Sequence, residues 1–162
     1  MKSILILCLA TAFASAADDA TILNTKAHRL LTRGHLSESL RVLAQAERVA
    51  DHDLARAMIL RNQAVVLLRM ADPVAASQYA TRALQLVERT ASTQDAHLVP
   101  ILNTLAAIAI DSGRYSQASS LLRRALDIGA VAGPHYEIST SLMAKLRTSV
   151  ADLRTLPYAL AP

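Results

Sequence analysis

The sequence predicts an all-α protein built from repeated helical hairpins. Three observations carry that prediction. Alanine, the strongest helix former, is the commonest residue. Aromatic residues make up only 3%, although strands favour Tyr, Phe and Trp. One segment also recurs, because Ile22-Leu23-Asn24-Thr25 returns unchanged as Ile101-Leu102-Asn103-Thr104. Self-similarity of this kind marks stacked supersecondary units. The 162 residues leave room for one domain of ordinary size. An apolar share of 52% excludes a disordered chain, and four glycines exclude a collagen-like or linker protein.

The first element is not part of the fold. Met1-Lys2-Ser3 is a short positive start, residues 4–14 are apolar and uncharged, and Ala14-Ser15-Ala16 is a small-x-small site. This is the layout of a secretory signal peptide, with cleavage expected after Ala16. The apolar run is short of the ~20 residues a membrane span needs. Cleavage removes Cys8, the only cysteine, and Phe13, the only phenylalanine. The expected mature chain is therefore secreted or periplasmic, has no transmembrane segment, and relies on helix packing rather than disulfides.

Three hairpins follow, over about 19–50, 53–91 and 95–129. Between residues 22–46 and 101–125, nine of twenty-five positions are identical without a gap. A middle copy aligns Ile59-Leu60, Ala64, Ala76 and Ala83 with Ile101-Leu102, Ala106, Ala118 and Ala125. In the third copy residues 101–110 are apolar nearly all round, as a buried inner helix should be. Gly113 then supplies the left-handed residue that ends a helix. The second helix puts Tyr115, Ala118, Leu121, Leu122, Ala125 and Leu126 on one face, and leaves Arg123, Arg124 and Asp127 mostly off it. The first copy has Ser39 where the others have alanine. The second turns at Ala71-Asp72-Pro73, and Pro73 suits a first helical position.

These residues resemble a tetratricopeptide repeat. The pattern is Leu102-Asn103-Thr104-Leu105-Ala106, Gly113-Arg114-Tyr115, Ala118, Leu122 and Arg124-Ala125-Leu126, and it is similar to the longer repeat of kinesin light chains. The family's Trp and first Tyr are absent. The resemblance covers roughly residues 19–129 and implies a right-handed helical-hairpin solenoid of about three repeats. A capping helix over about 135–155 would close it, with Ile138, Leu142, Leu146, Val150 and Leu153 inward. Either Ala144 or Leu146 could match Ala106 in its register.

Signals for chemistry are sparse. The sequence has no phosphate-cradling glycine loop and no Gly-x-Ser-x-Gly elbow. A mature chain without cysteine excludes thiol catalysis and Cys-based zinc sites. The five histidines are scattered. Asp51-His52-Asp53 is the one compact ligand-like cluster, read here as a solvated turn with Asp53 capping the next helix. No catalytic residue, metal or cofactor is expected. Arginine outnumbers lysine fourteen to three, but no aromatic platform accompanies it, so nucleic acid is not the expected partner.

The resemblance implies a concave face, lined by the first helix of each hairpin, that holds a peptide or a partner protein. The family's ligand-bonding Asn maps to Asn24 and Asn103. Asn carries both donor and acceptor and can satisfy a peptide backbone. On the same stripe lie His28 and Thr32, then Arg61, Val65 and Arg69, then Ala107 and Asp111. Arg61 and Arg69 could grip a carboxylate in forked geometry. The expected groove residues are thus Asn24, His28, Arg61, Arg69, Asn103 and Asp111. The alternative for Asn24 and Asn103 is that they bond neighbouring helices. The expected function is a non-enzymatic interaction scaffold, and so short an array would dimerise or dock onto a larger complex. The competing readings are an accessory subunit of an envelope enzyme or assembly, and a small-molecule-binding solenoid.

Overall fold

The computed structural model describes residues 19–90, 95–128 and 134–155. The expected signal peptide and its cleavage site lie outside the described residues, as does the 129–133 connection. The described residues form seven helices and no strand. They are α1 (19–32), α2 (Leu36–Val49), α3 (Asp53–Arg69), α4 (Pro73–Thr90), α5 (Leu98–Asp111), α6 (Tyr115–Ile128) and α7 (Pro134–Thr155). They group into two compact units, one ending at Ser92 and the other starting at Thr93.

Each hairpin turns by the same device. Gly34 and Gly113 sit at φ +81° and +70°, and Ala71 takes the equivalent place at +61°. In all three turns the left-handed residue and its successor bond back into the last helical turn. His35 N–H reaches the Leu30 carbonyl at 2.9 Å, Asp72 that of Leu67 at 3.0 Å, and Arg114 that of Ala109 at 2.8 Å. These bonds satisfy carbonyls that a helix end otherwise leaves unpaired. Pro73 opens α4, with the Asp72 carboxylate accepting the Ala75 N–H at 3.0 Å.

The start of α3 differs from expectation. Asp53 is its first residue and pairs with Arg56 at 3.2 Å. The cap is His52, whose Nδ1 accepts the Ala55 N–H at 3.0 Å. A neutral imidazole has one acceptor nitrogen, and here the extended backbone at position 52 aims it at the open helix end.

In the first unit the core joins Ala27, Val42, Leu43 and Ala46 to Ile59 and Val66, with Leu23, Leu30 and Leu31 packed against it. The second hairpin's inner helix, α3, thereby docks on the first hairpin. Alanine sits where helices approach closely: Ala64, Ala76 and Ala83 are all fully buried. At the first hairpin's matching place, buried Ser39 donates its hydroxyl to the Ala27 carbonyl at 2.8 Å. The serine is as small as the alanine it replaces, and its polar atom is satisfied.

In the second unit α5 is buried along almost its whole length. Ala106, Ala109 and Ile110 pack with Ala118 and Leu122 of α6 and with Leu146 of α7. Burying a leucine such as Leu122 contributes about 1.5–3 kcal/mol. The inward face of α7 is rotated from the expected one. Ile138 is 43% exposed, and Ser139 is fully buried in its place. Leu142 and Leu146 do face the core, with Met143 beside them. The apolar residues at 138, 142 and 146 are spaced by four, which drifts off a 3.6-residue stripe. The face that meets α5 and α6 follows 139, 142, 143 and 146. The Val150 and Leu153 side chains lie outside the described residues.

Candidate functional site

The expected groove residues fall in both units. Asn24, His28, Arg61 and Arg69 belong to the first, Asn103 and Asp111 to the second.

In the first unit a chain of side-chain bonds links the two inner helices. Arg61 Nη1 donates to Asn62 Oδ1 at 2.8 Å, and Asn62 Nδ2 donates to Asn24 Oδ1 at 2.8 Å. Asn24 is half-buried on α1 and Arg61 half-buried on α3. Burial lowers the Arg61 guanidinium from its ordinary value, which for arginine starts high enough to leave the cation intact. His28, one turn beyond Asn24, and Arg69, in the last turn of α3, are exposed. The arrangement is a polar, cationic face. Two of its groups are fixed by neighbours, and two reach solvent.

In the second unit the corresponding residues are engaged by α7. Asn103 is only 3% exposed. Its Nδ2 donates to the His135 carbonyl at 3.0 Å, and its Oδ1 accepts from the Ser139 hydroxyl at 2.8 Å. Asp111, at the end of α5, is exposed and bonds Lys145 at 2.8 Å. Asn24 and Asn103 thus occupy one repeat position and make one kind of bond, from an inner helix to the next. Their partners Asn62 and Ser139 escaped the sequence reading. Nothing in either partner's local sequence points to a residue 38 or 36 positions away.

Two open hollows lie elsewhere. One of about 420 Å³ is lined by Arg56, Arg82, Gln85, Leu86, Glu88 and Arg89. Its guanidiniums are largely committed: Arg56 to Asp53 and the Ala50 carbonyl, Arg82 to Glu47 at 3.3 Å and to the Tyr79 ring. The other, of about 610 Å³, runs along α6 past Ser116, Ser120, Arg123 and Asp127. Among the described residues no group of three His, Cys, Asp or Glu side chains could hold a metal ion. No described helix is long and apolar enough to cross a membrane.

Comparison with known proteins bears directly on these hairpins. Residues 53–130 match the tetratricopeptide repeat family model. Residues 53–130 thus carry tetratricopeptide repeats. The chain's helical hairpins also match solved structures. The TPR-like repeats of a kinesin light chain type protein from Podosopora anserina superpose with a TM-score of 0.71 at 15% identity, covering 83% of this chain and 68% of that one. BtubC (BKLC) from P. vanneervenii superposes with a TM-score of 0.62 at 16% identity, covering 88% of this chain and 66% of that one. This chain therefore spans about two thirds of each. At such identities the likeness is one of fold. No curated protein matches the sequence. The tetratricopeptide fold supports a repeat scaffold of the protein-interaction kind.

Proposed function

We propose that this repeat protein is an exported, non-catalytic scaffold that holds a peptide or partner protein on the faces of its inner helices. The observation that carries the reading is the cationic face of the first unit. There the Arg61–Asn62–Asn24 bonds hold polar groups in place beside exposed His28 and Arg69. Groups already fixed before binding lose little freedom on binding. Arg69 offers forked geometry to a carboxylate. In the second unit Asn103 is occupied by α7. Export rests on the layout of residues 1–16. No cofactor or metal is required, and the short array works as a dimer or docked on a larger complex.

The test is a pull-down from envelope extract with wild type and with a His28→Ala/Arg69→Ala variant. The expected result is loss of the wild-type partner from the variant. An unchanged partner set would count against the face. N-terminal sequencing of the protein recovered from the envelope fraction should begin at Ala17, and sedimentation of the same fraction separates dimer from larger complex.

A further inference from the structure

The three hairpins can be compared position by position, and one face differs sharply. Ile59 is 2% exposed and Ile101 0%, yet the matching Ile22 of α1 is 63% exposed. One turn on, Gln63 and Leu105 are buried, whereas their counterpart Lys26 is exposed. Val66 and Ile108 are buried as well, and their counterpart is exposed Arg29. Arg33, in the turn just past α1, is exposed too, as are its counterparts Met70 and Ser112. Spacings of four and three place Ile22, Lys26 and Arg29 on one stripe of α1, and Arg33, four residues on, extends it to about 16 Å at 1.5 Å per residue. In α3 the same stripe is covered by helices, since Ile59 and Val66 lie in the core shared with the first hairpin.

We infer that the stripe of Ile22, Lys26 and Arg29 on α1, with Arg33 just past its end, is a docking surface for an amphipathic helix of a partner protein whose carboxylates match the three cations. This deepens the scaffold reading and rests on it. Charge complementarity identifies the occupant. Among the described residues none of the three cationic side chains forms an ion pair. The helix dipole accounts for cations near the end of α1, at Arg29 and Arg33, but not for Lys26 in its middle. A helix is the shape that the same stripe accepts in the second hairpin. A second copy meeting the face stripe to stripe would set cation against cation. Nor do the described residues hold the complement, because no described helix carries more than two carboxylates. The partner helix sets an apolar residue over Ile22 and acidic residues over the following turns.

The probe is a fluorescent alanine-rich helical peptide with one leucine and glutamates four, seven and eleven residues away, measured by anisotropy against the full chain. The Lys26→Glu/Arg29→Glu/Arg33→Glu variant should bind about tenfold more weakly or worse. Added salt should weaken wild-type binding. A peptide with lysines for the glutamates should bind the variant and not the wild type. All three residues are exposed, so unchanged circular dichroism is expected of the variant. Equal binding by wild type and variant overturns the proposal, as does absence of binding. Binding to phosphatidylglycerol vesicles without binding to the peptide also overturns it, since the occupant is then a membrane. If the partner lost from the His28→Ala/Arg69→Ala variant is retained by the charge-reversed one, the scaffold stands and this stripe is not part of it.

Discussion

The Ser139 hydroxyl donates to Asn103 Oδ1 at 2.8 Å, with both side chains buried between α5 and α7. Asn103→Ala removes both of its bonds to α7, while the Ser139 hydroxyl keeps the His135 carbonyl, 2.9 Å away, as its acceptor. It should destabilise the second unit by about 1–3 kcal/mol, the net worth of two buried hydrogen bonds. Urea unfolding of the two single variants and the double variant with Ser139→Ala measures the coupling. Hydrogen exchange in α7 should accelerate in Asn103→Ala, because the anchor of its first turn is gone.

Gln63 is 2% exposed, and its Oε1 has no hydrogen-bond partner. The third hairpin places Leu105 at the same repeat position. Gln63→Leu keeps a side chain of similar size and removes the orphaned acceptor. It should stabilise the first unit by about 1–2 kcal/mol. A urea midpoint below that of wild type would show that the amide is paired in solution.

Ala71 holds φ +61° in the turn where the other hairpins use glycine. A β-carbon in the left-handed region costs roughly 1–2 kcal/mol, which glycine avoids. Glycine also loosens the unfolded chain, so part of that gain is returned. Ala71→Gly should therefore stabilise by about 0.5–1 kcal/mol, a rise in Tm of a few degrees for a chain of this size. Gly113→Ala is the mirror experiment and should lower Tm.

Asp95 is held below the ordinary carboxylate range. The His97 backbone N–H bonds its Oδ1 at 2.8 Å, the His97 ring lies 2.7 Å away, and the ring's charge adds to both. A carboxyl lowered in the folded state stabilises above its unfolded pKa of about 3.9, and that contribution fades as the pH falls through the folded value. Stability near the start of α5 should thus drop in acid more in wild type than in Asp95→Asn. NMR titration of the Asp95 side-chain carbon checks the direction: its midpoint should lie below that of a model aspartate.

Much of the fold was legible because its signals are local. Gly34, Gly113 and the alanine columns mark turns and close helix approaches within a few residues of where they act. Pro73 marks a helix start in the same way. The errors came where two signals competed. His52 displaced Asp53 as a cap because the residue before the helix had the usable backbone, although aspartate is the commoner cap. Ser139 displaced Ile138 because the packing face follows the helix period rather than the apolar letters. The candidate site was the least legible part. An asparagine declares that it can give and accept a bond, but the residue answering Asn103 stands 36 positions away on α7.

The repeated tetrad carries one more consequence, for how the gene can vary. Ile22 and Thr25 face outward, whereas their twins Ile101 and Thr104 are 0% and 5% exposed. Two of the four identical letters therefore live under opposite constraints. Replacing Ile101 by a polar residue should empty a core position, while the same change at Ile22 should be absorbed at the surface. The two copies are free to diverge at different speeds. At Ile22 and Thr25 the environment does not account for the match.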